Sequence, residues 1–293
     1  MEMRDNSVKK IIRDYKATLA IHYPEQEIMN MIYLLFDDFM GWPKAMIHLS
    51  PDEEIPGKEM RLFDHALLEL GMGKPIQYVM GRTNFNGINL KVNAHVLIPR
   101  PETEELCRII KSEMDNTKKS YFAFLDVGTG SGCIAVDLKS YFPDSLVTGI
   151  DVSQDAIDLA KVNALDNYCE VSFHVADILD PSDCALIGMF DIIVSNPPYV
   201  TENEKTLMHK NVLDFEPAAA LFVPDNDPLL FYRAIANMAV SHLHRPGRLY
   251  FEINEQYGTR VCQLIRSFGF EYAETLCDIH GKERFVRAVL KST

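Results

Sequence analysis

Phe190-Asp191-Ile192-Ile193-Val194-Ser195-Asn196-Pro197-Pro198-Tyr199 is the stretch whose reading decides the fold. An apolar, β-branched run that stops at two prolines reads as a buried strand whose carboxyl end cannot continue pairing. The prolines lack N–H donors and fix φ, so the backbone beyond Ser195 is held stiffly at the strand's tip. In open α/β sheets ligands bind outside that tip. An amide, exposed carbonyls and an aromatic ring gathered there suit the NH2 of a planar amide or amidine-like nitrogen. Asn-Pro pairs also occur in ordinary strand-to-loop turns, so this stretch alone leaves both readings open.

The surrounding chain repeats the pattern. Phe122–Val127 is strand-like and runs into Gly128-Thr129-Gly130-Ser131-Gly132, and a helix is predicted from Cys133 to about Tyr141. A strand from Leu146 to Ile150 ends in Asp151, a helix capped by Ser153 runs through Asn163, and a strand from Val171 to Ala176 ends in Asp177. Beyond Tyr199 the pattern predicts a helix from Pro228 to His242, a strand from Leu249 to Ile253 and a helix from Glu255 to Phe268. Strands at Phe270–Leu276 and Arg284–Leu290 close the chain. Strands alternating with helical segments predict an α/β domain.

Glycines between a strand and a helix allow a ligand to approach the backbone at the helix amino end. A dinucleotide fingerprint, G-x-G-x-x-G, would place its third glycine at Cys133, so this loop need not cradle a pyrophosphate. Asp151 stands where a carboxylate can take two ribose hydroxyls, and Asp177 where one can accept from an exocyclic amine such as adenine N6. Either aspartate alone could equally be a helix cap. In order at successive strand ends behind the glycine loop, they point to a nucleoside without phosphates, the adenosine of S-adenosylmethionine.

Residues 1–73 read as a small helical domain that either binds a partner or acts as a structural cap. Val8, Ile11, Ile12, Tyr15 and Leu19 recur at helical spacing, Ile28–Phe39 is a second apolar run, and Lys58–Leu70 is a third before Gly71 and Gly73. Residues 74–100 are expected to form a β-hairpin linker, with Ile76–Val79 and Ile88–Val92 as its alternating segments. The catalytic domain would then occupy 101–293. Pro101 suits the first turn of a helix beginning at Glu102.

Of 293 residues, 47% are hydrophobic and 24% charged, a globular balance that can bury a sizeable core. No apolar run approaches the ~20 residues of a membrane span, and no signal-peptide pattern opens the chain, so a cytoplasmic protein is expected. The six cysteines form no C-x-x-C pair, and no spacing among them and the nine histidines suggests a metal site. Asp and Glu outnumber Lys and Arg by 42 to 29, for a net charge of -13. That balance disfavours a duplex nucleic acid and favours a small molecule or a basic protein.

Gly128-Thr129-Gly130-Ser131-Gly132, Asp151 and Asn196-Pro197-Pro198-Tyr199 resemble the signatures of amino-methylating Rossmann-like methyltransferases. Pro75-Ile76-Gln77-Tyr78 with Gly81 and Phe85, and Leu97-Ile98-Pro99-Arg100-Pro101-Glu102-Thr103-Glu104, narrow the resemblance to the peptide chain release factor N5-glutamine methyltransferases, the HemK/PrmC family. Gly281-x-Glu283-Arg284 extends it over almost the whole chain. Two small departures are Val127 where leucine is usual and Ile178 where some members carry an aromatic.

The resemblance implies a class I fold with a seven-stranded mixed sheet, acting as a monomer. It also implies methyl transfer from S-adenosylmethionine, leaving S-adenosylhomocysteine, to the Gly-Gly-Gln glutamine of class I release factors in translation termination. Gly128 to Gly132, Asp151, Asp177, Ile178 and Asn196 would hold the cofactor. Asn196, Pro197, Pro198 and Tyr199 would hold the acceptor, with Asn196, Pro197 and Tyr199 catalytic and Tyr199 stacked on the amide plane. Glu102 and Thr103 would brace the pocket, and Arg100 would pair with a carboxylate. A nucleic-acid adenine-N6 methyltransferase shares the Asn-Pro-Pro-Tyr device but lacks support from the charge. A silent adaptor that binds the same cofactor is the reading from outside enzymology.

Overall fold

The computed structural model describes residues 5–185 and 187–292. They form two compact units, one of residues up to Gly81 together with His209–Phe215, the other of Arg82–Met208 and Glu216 onward.

The first unit is helical: Val8–Leu19, Glu25–Met40, Lys44–Leu49, Gly57–Gly71, Ile76–Met80 and Lys210–Phe215. Val8, Ile11, Tyr15 and Leu19 are the buried face of the first helix, which Ser7 caps by accepting from Lys10 N. The Tyr15 hydroxyl donates to Phe63 O at 2.7 Å, giving a buried phenol its partner. Two expectations need correction. Pro43 opens a fourth helix before residue 73, Lys44–Leu49. Ile76–Met80 is a helix rather than a strand, placing Ile76, Val79 and Met80 on the core at i, i+3, i+4 until Gly81 ends it. A window of four residues is too short to separate period two from period 3.6.

The second unit opens with the hairpin Arg82–Phe85 and Ile88–Lys91, turned by Asn86-Gly87 with φ of 47° and 85°. Its central sheet has seven strands: β1 (Ala123–Val127), β2 (Leu146–Asp151), β3 (Ser172–Val175), β4 (Phe190–Ser195), β5 (Leu243–Glu252), β6 (Phe270–Cys277) and β7 (Glu283–Leu290). Their order across the sheet is β6-β7-β5-β4-β1-β2-β3. The pairs from β5 through β3 are parallel, whereas β7 runs antiparallel to both its neighbours.

Successive residues of the central strands face opposite sides, so one run feeds two cores. Leu125, Val127 and Ile193 pack with helices Leu230–His242 and Gly258–Ser267. Phe124, Ile192 and Val194 pack with Pro101–Asp115, Cys133–Tyr141 and Gln154–Asp166. The strand order reverses at β1 and β4, so a crevice opens at their carboxyl ends. No helix among the described residues is long and apolar enough to cross a membrane. Among those residues, no group of three or more His, Cys, Asp or Glu is placed to hold a metal ion.

Candidate active site

A cavity of about 440 Å³ lies at those strand ends, all of it within the second unit. Gly128, Thr129, Gly130 and Ser131 line it after β1, Asp151 at the end of β2, Asp177 and Ile178 after β3, and Asn196, Pro197 and Pro198 after β4. Four separate sequence motifs thus meet in one place. Gly132 does not line the cavity; a Cβ there would lie 3.1 Å from Ala160 Cβ, so this glycine serves the packing of the loop on helix Gln154–Asp166.

The glycine loop is shaped to leave room. Gly128 and Gly130 hold φ of 72° and 53°, and a Cβ built on either meets no atom within 4 Å. Asp151 Oδ2 accepts from Gly130 N and Oδ1 from Ser153 N, each at 2.9 Å, tying the β2 tip to the loop. Burial raises the Asp151 carboxyl above its ordinary value, against the lowering effect of those amides. Thr129 Oγ1 donates to Asp126 Oδ2 at 2.6 Å, and burial pushes Asp126 up to about 7. Ser131 Oγ is buried with no protein partner. A cavity-lining hydroxyl without a partner, glycine positions open to the cavity and strand-end carboxylates are the features a nucleoside-type cofactor would use.

A second network organises the Asn196 end. Asn196 Nδ2 donates to Thr103 Oγ1 at 3.1 Å, and Thr103 Oγ1 donates to Glu252 Oε2 at 2.7 Å. Tyr199 donates through its hydroxyl to Glu252 Oε1 at 3.0 Å. Burial holds the Tyr199 phenol well above its ordinary value, so it remains a donor. Burial also pushes Glu252 up to about 6, although Thr103 and Tyr199 favour its charged form. Tyr199 is not among the described residues lining the cavity; its ring packs against the core beside β4 and β5. Arg100 pairs with Glu216 at 2.5 Å, and Glu102 does not line the cavity.

Sequence reading missed Glu252, Glu216 and Asn163. Glu252 carried a weak signal, as a lone carboxylate next to the last residue of the predicted strand Leu249–Ile253; the observed strand ends on it. Ser195 pairs with Phe251, which sets Glu252 beside Asn196. The sequence marks Asn163 only as a helix end, yet its amide donates to Ser131 O at 2.8 Å and Lys91 O at 3.0 Å and accepts from Lys91 N at 2.7 Å. That clamp between hairpin and glycine loop has no local sequence signature.

Fold and site together define a Rossmann-like class I methyltransferase. The family description "Methyltransferase small domain" matches residues 106–221, and "PrmC N-terminal domain" matches 10–81. A methyltransferase from Pyrococcus furiosus shares the fold with a TM-score of 0.52, at 16% identity over 71% of this chain and 91% of that one. Two relatives named release factor glutamine methyltransferase are much nearer in sequence. The one from Flavobacterium psychrophilum is 41% identical over 94% of this chain and 98% of its own length. That from Bacteroides thetaiotaomicron is 40% identical over 96% and 99%. The chain belongs to the release factor glutamine methyltransferase family.

Proposed function

We propose that the protein methylates the side-chain nitrogen of the glutamine in the Gly-Gly-Gln motif of class I release factors, using S-adenosylmethionine. The observation that carries this reading is the orientation of Asn196. Its amide nitrogen is taken by Thr103, so Oδ1 is the end left to accept from a ligand in the cavity.

Bound S-adenosylmethionine supplies an electrophilic methyl group on sulfur. Gly128, Thr129, Gly130 and Ser131 would hold it, with Asp151 on the ribose hydroxyls and Asp177 and Ile178 at the base. An amide nitrogen is a poor nucleophile because its lone pair is delocalised into the carbonyl. Asn196 Oδ1 and the Pro197 carbonyl, accepting its two N–H bonds, would aim that lone pair and stabilise the positive charge that grows on nitrogen. The stiff Pro197-Pro198 backbone keeps both acceptors in place without reorganisation. The nitrogen proton becomes acidic only after the methyl group arrives, so no strong base is needed beforehand. Tyr199 serves this arrangement from behind, through Glu252, and its stacking on the acceptor amide would require it to turn toward the cavity. The helical unit would dock the release factor, whose exposed glycine-flanked loop is narrow enough to enter.

The test is incubation with labelled S-adenosylmethionine and a purified release factor, followed by mass mapping. One methyl on the Gly-Gly-Gln glutamine is expected, with none on the Gln→Ala variant. Equal label on that variant, or on DNA or RNA carrying unmodified adenine, would reject the glutamine assignment.

A further inference from the structure

We propose that Glu252 is a positioning residue whose charge, relayed through the Thr103 hydroxyl, decides which end of the Asn196 amide faces the cavity. The inference rests on the reading of Asn196 Oδ1 as the acceptor for a substrate N–H, and extends it to a residue that touches no substrate.

Counting protons fixes the direction of the chain. An ionised carboxylate has no proton to donate, so both groups that reach Glu252 must donate to it. Tyr199 does so at Oε1 and Thr103 at Oε2. A threonine hydroxyl has a single proton, and here it is spent on Glu252. Its oxygen can then only accept from Asn196, and the only donor on that side chain is Nδ2. Oδ1 is thereby turned to the cavity. A proton on Glu252 Oε2 reverses the logic. The carboxyl donates to Thr103, the hydroxyl proton is released toward Asn196, and the amide is most stable with Oδ1 toward Thr103. Two Nδ2 protons would then face an acceptor nitrogen that itself carries two.

The network is placed to make this choice felt. Glu252 is 1% exposed and Thr103 2%, so water cannot readily substitute for a lost partner. Other groups around the carboxyl do not fix the chain. The Tyr232 hydroxyl is spent on the Glu252 backbone carbonyl at 3.3 Å. Arg284 faces Asp278 and Glu255 at 3.8 Å, and favours the charged form of Glu252 while Glu102 opposes it.

Two measurements on the full-length protein test the proposal. The first needs no substrate. In asparagine-selective ¹⁵N spectra, with the Asn196 side-chain signal assigned by its loss in Asn196→Asp, that signal should titrate between pH 5 and 8 in wild type. It should not titrate in Glu252→Gln. Whichever way the glutamine settles, it cannot change direction with pH. An Asn196 signal that titrates identically in both proteins overturns the proposal.

The second is turnover at saturating cofactor and release factor. Wild-type kcat should fall about tenfold per pH unit on the acid side of Glu252 titration, and Glu252→Gln should lose that limb. If Glu252→Gln does not fold, Thr103 carries the test. Thr103→Val should lower kcat about 10²-fold with cofactor affinity unchanged, and Thr103→Ser should restore it to within a few-fold. Wild-type turnover by Thr103→Val overturns the relay. A wild-type protein that labels no release factor would instead reject the proposed substrate, and the Asn196 titration would still judge Glu252.

Discussion

Arg100 Nη2 lies 2.5 Å from Glu216 Oε1, joining two segments 116 residues apart at the rim of the cavity. Glu216 Oε2 also accepts from Ile98 N at 3.1 Å, so one carboxylate grips the segment before Pro99. Pro99 lines the cavity from one side and Pro217, Ala219 and Ala220 from another. The pair thus ties together two segments that line the cavity.

The two partners are unequally buried, and this decides which loss hurts more. The Glu216 side chain is 1% exposed and that of Arg100 is 32% exposed. Arg100→Ala strands a buried charge and should cost about 3–5 kcal/mol of stability. Glu216→Gln keeps an acceptor for Ile98 N and leaves an arginine that can reach water, so its cost should be clearly smaller. Urea unfolding of both variants checks this, and the opposite order would refute it.

Asp126 makes stability depend on pH in a direction unusual for a carboxylate. Burial pushes it up from 3.8 to about 7, so it binds its proton more tightly folded than unfolded. Its favourable contribution is complete below the unfolded value near 4 and is lost as pH rises through about 7. Between pH 4.5 and 8, wild type should lose roughly 3 kcal/mol that Asp126→Asn does not lose. Chemical denaturation of both proteins at the two pH values measures the difference. Parallel pH dependence would show that Asp126 is not the group responsible.

Asp151→Ala should weaken S-adenosylmethionine binding by ~1.5–3 kcal/mol, through loss of a charge-assisted partner for the ribose. The same substitution releases Gly130 N and Ser153 N, so the loop as well as the ligand loses an anchor. Titration calorimetry is the measurement, and an unchanged Kd would remove Asp151 from the cofactor site.

What the sequence made legible follows from what is local. Helix Cys133–Tyr141 and strand β4 were readable because hydrophobic period and stop signals lie within the element itself. The cavity motifs were readable because each sits at the end of such a strand. Ile76–Met80 is not legible as a helix because its periodicity covers barely one turn. The segment after Tyr199 gave no reading: Val200–Thr201 pairs with Phe222–Val223 across a long excursion, and Lys210–Phe215 belongs to the helical unit. Glu252 and Thr103 are 149 residues apart, and only the sheet register brings the first to Asn196. Contacts of that range have no signature in a single sequence.

Asn196→Ala should lower the methyl-transfer rate by ~10²-fold or more and change cofactor affinity by only a few-fold. The asymmetry is the point of the experiment. In the proposed arrangement Asp151 and the glycine loop would hold the cofactor, whereas Asn196, whose Nδ2 donates to Thr103, would keep Oδ1 for the acceptor. Alanine also frees Thr103 Oγ1 from its donor without disturbing the Thr103–Glu252 bond, so the fold should survive. Single-turnover kinetics with pre-bound S-adenosylmethionine separate the chemical step from binding. A rate near wild type would mean that the backbone carbonyl of Pro197 orients the acceptor without help. A parallel loss of cofactor affinity would place Asn196 on the cofactor instead.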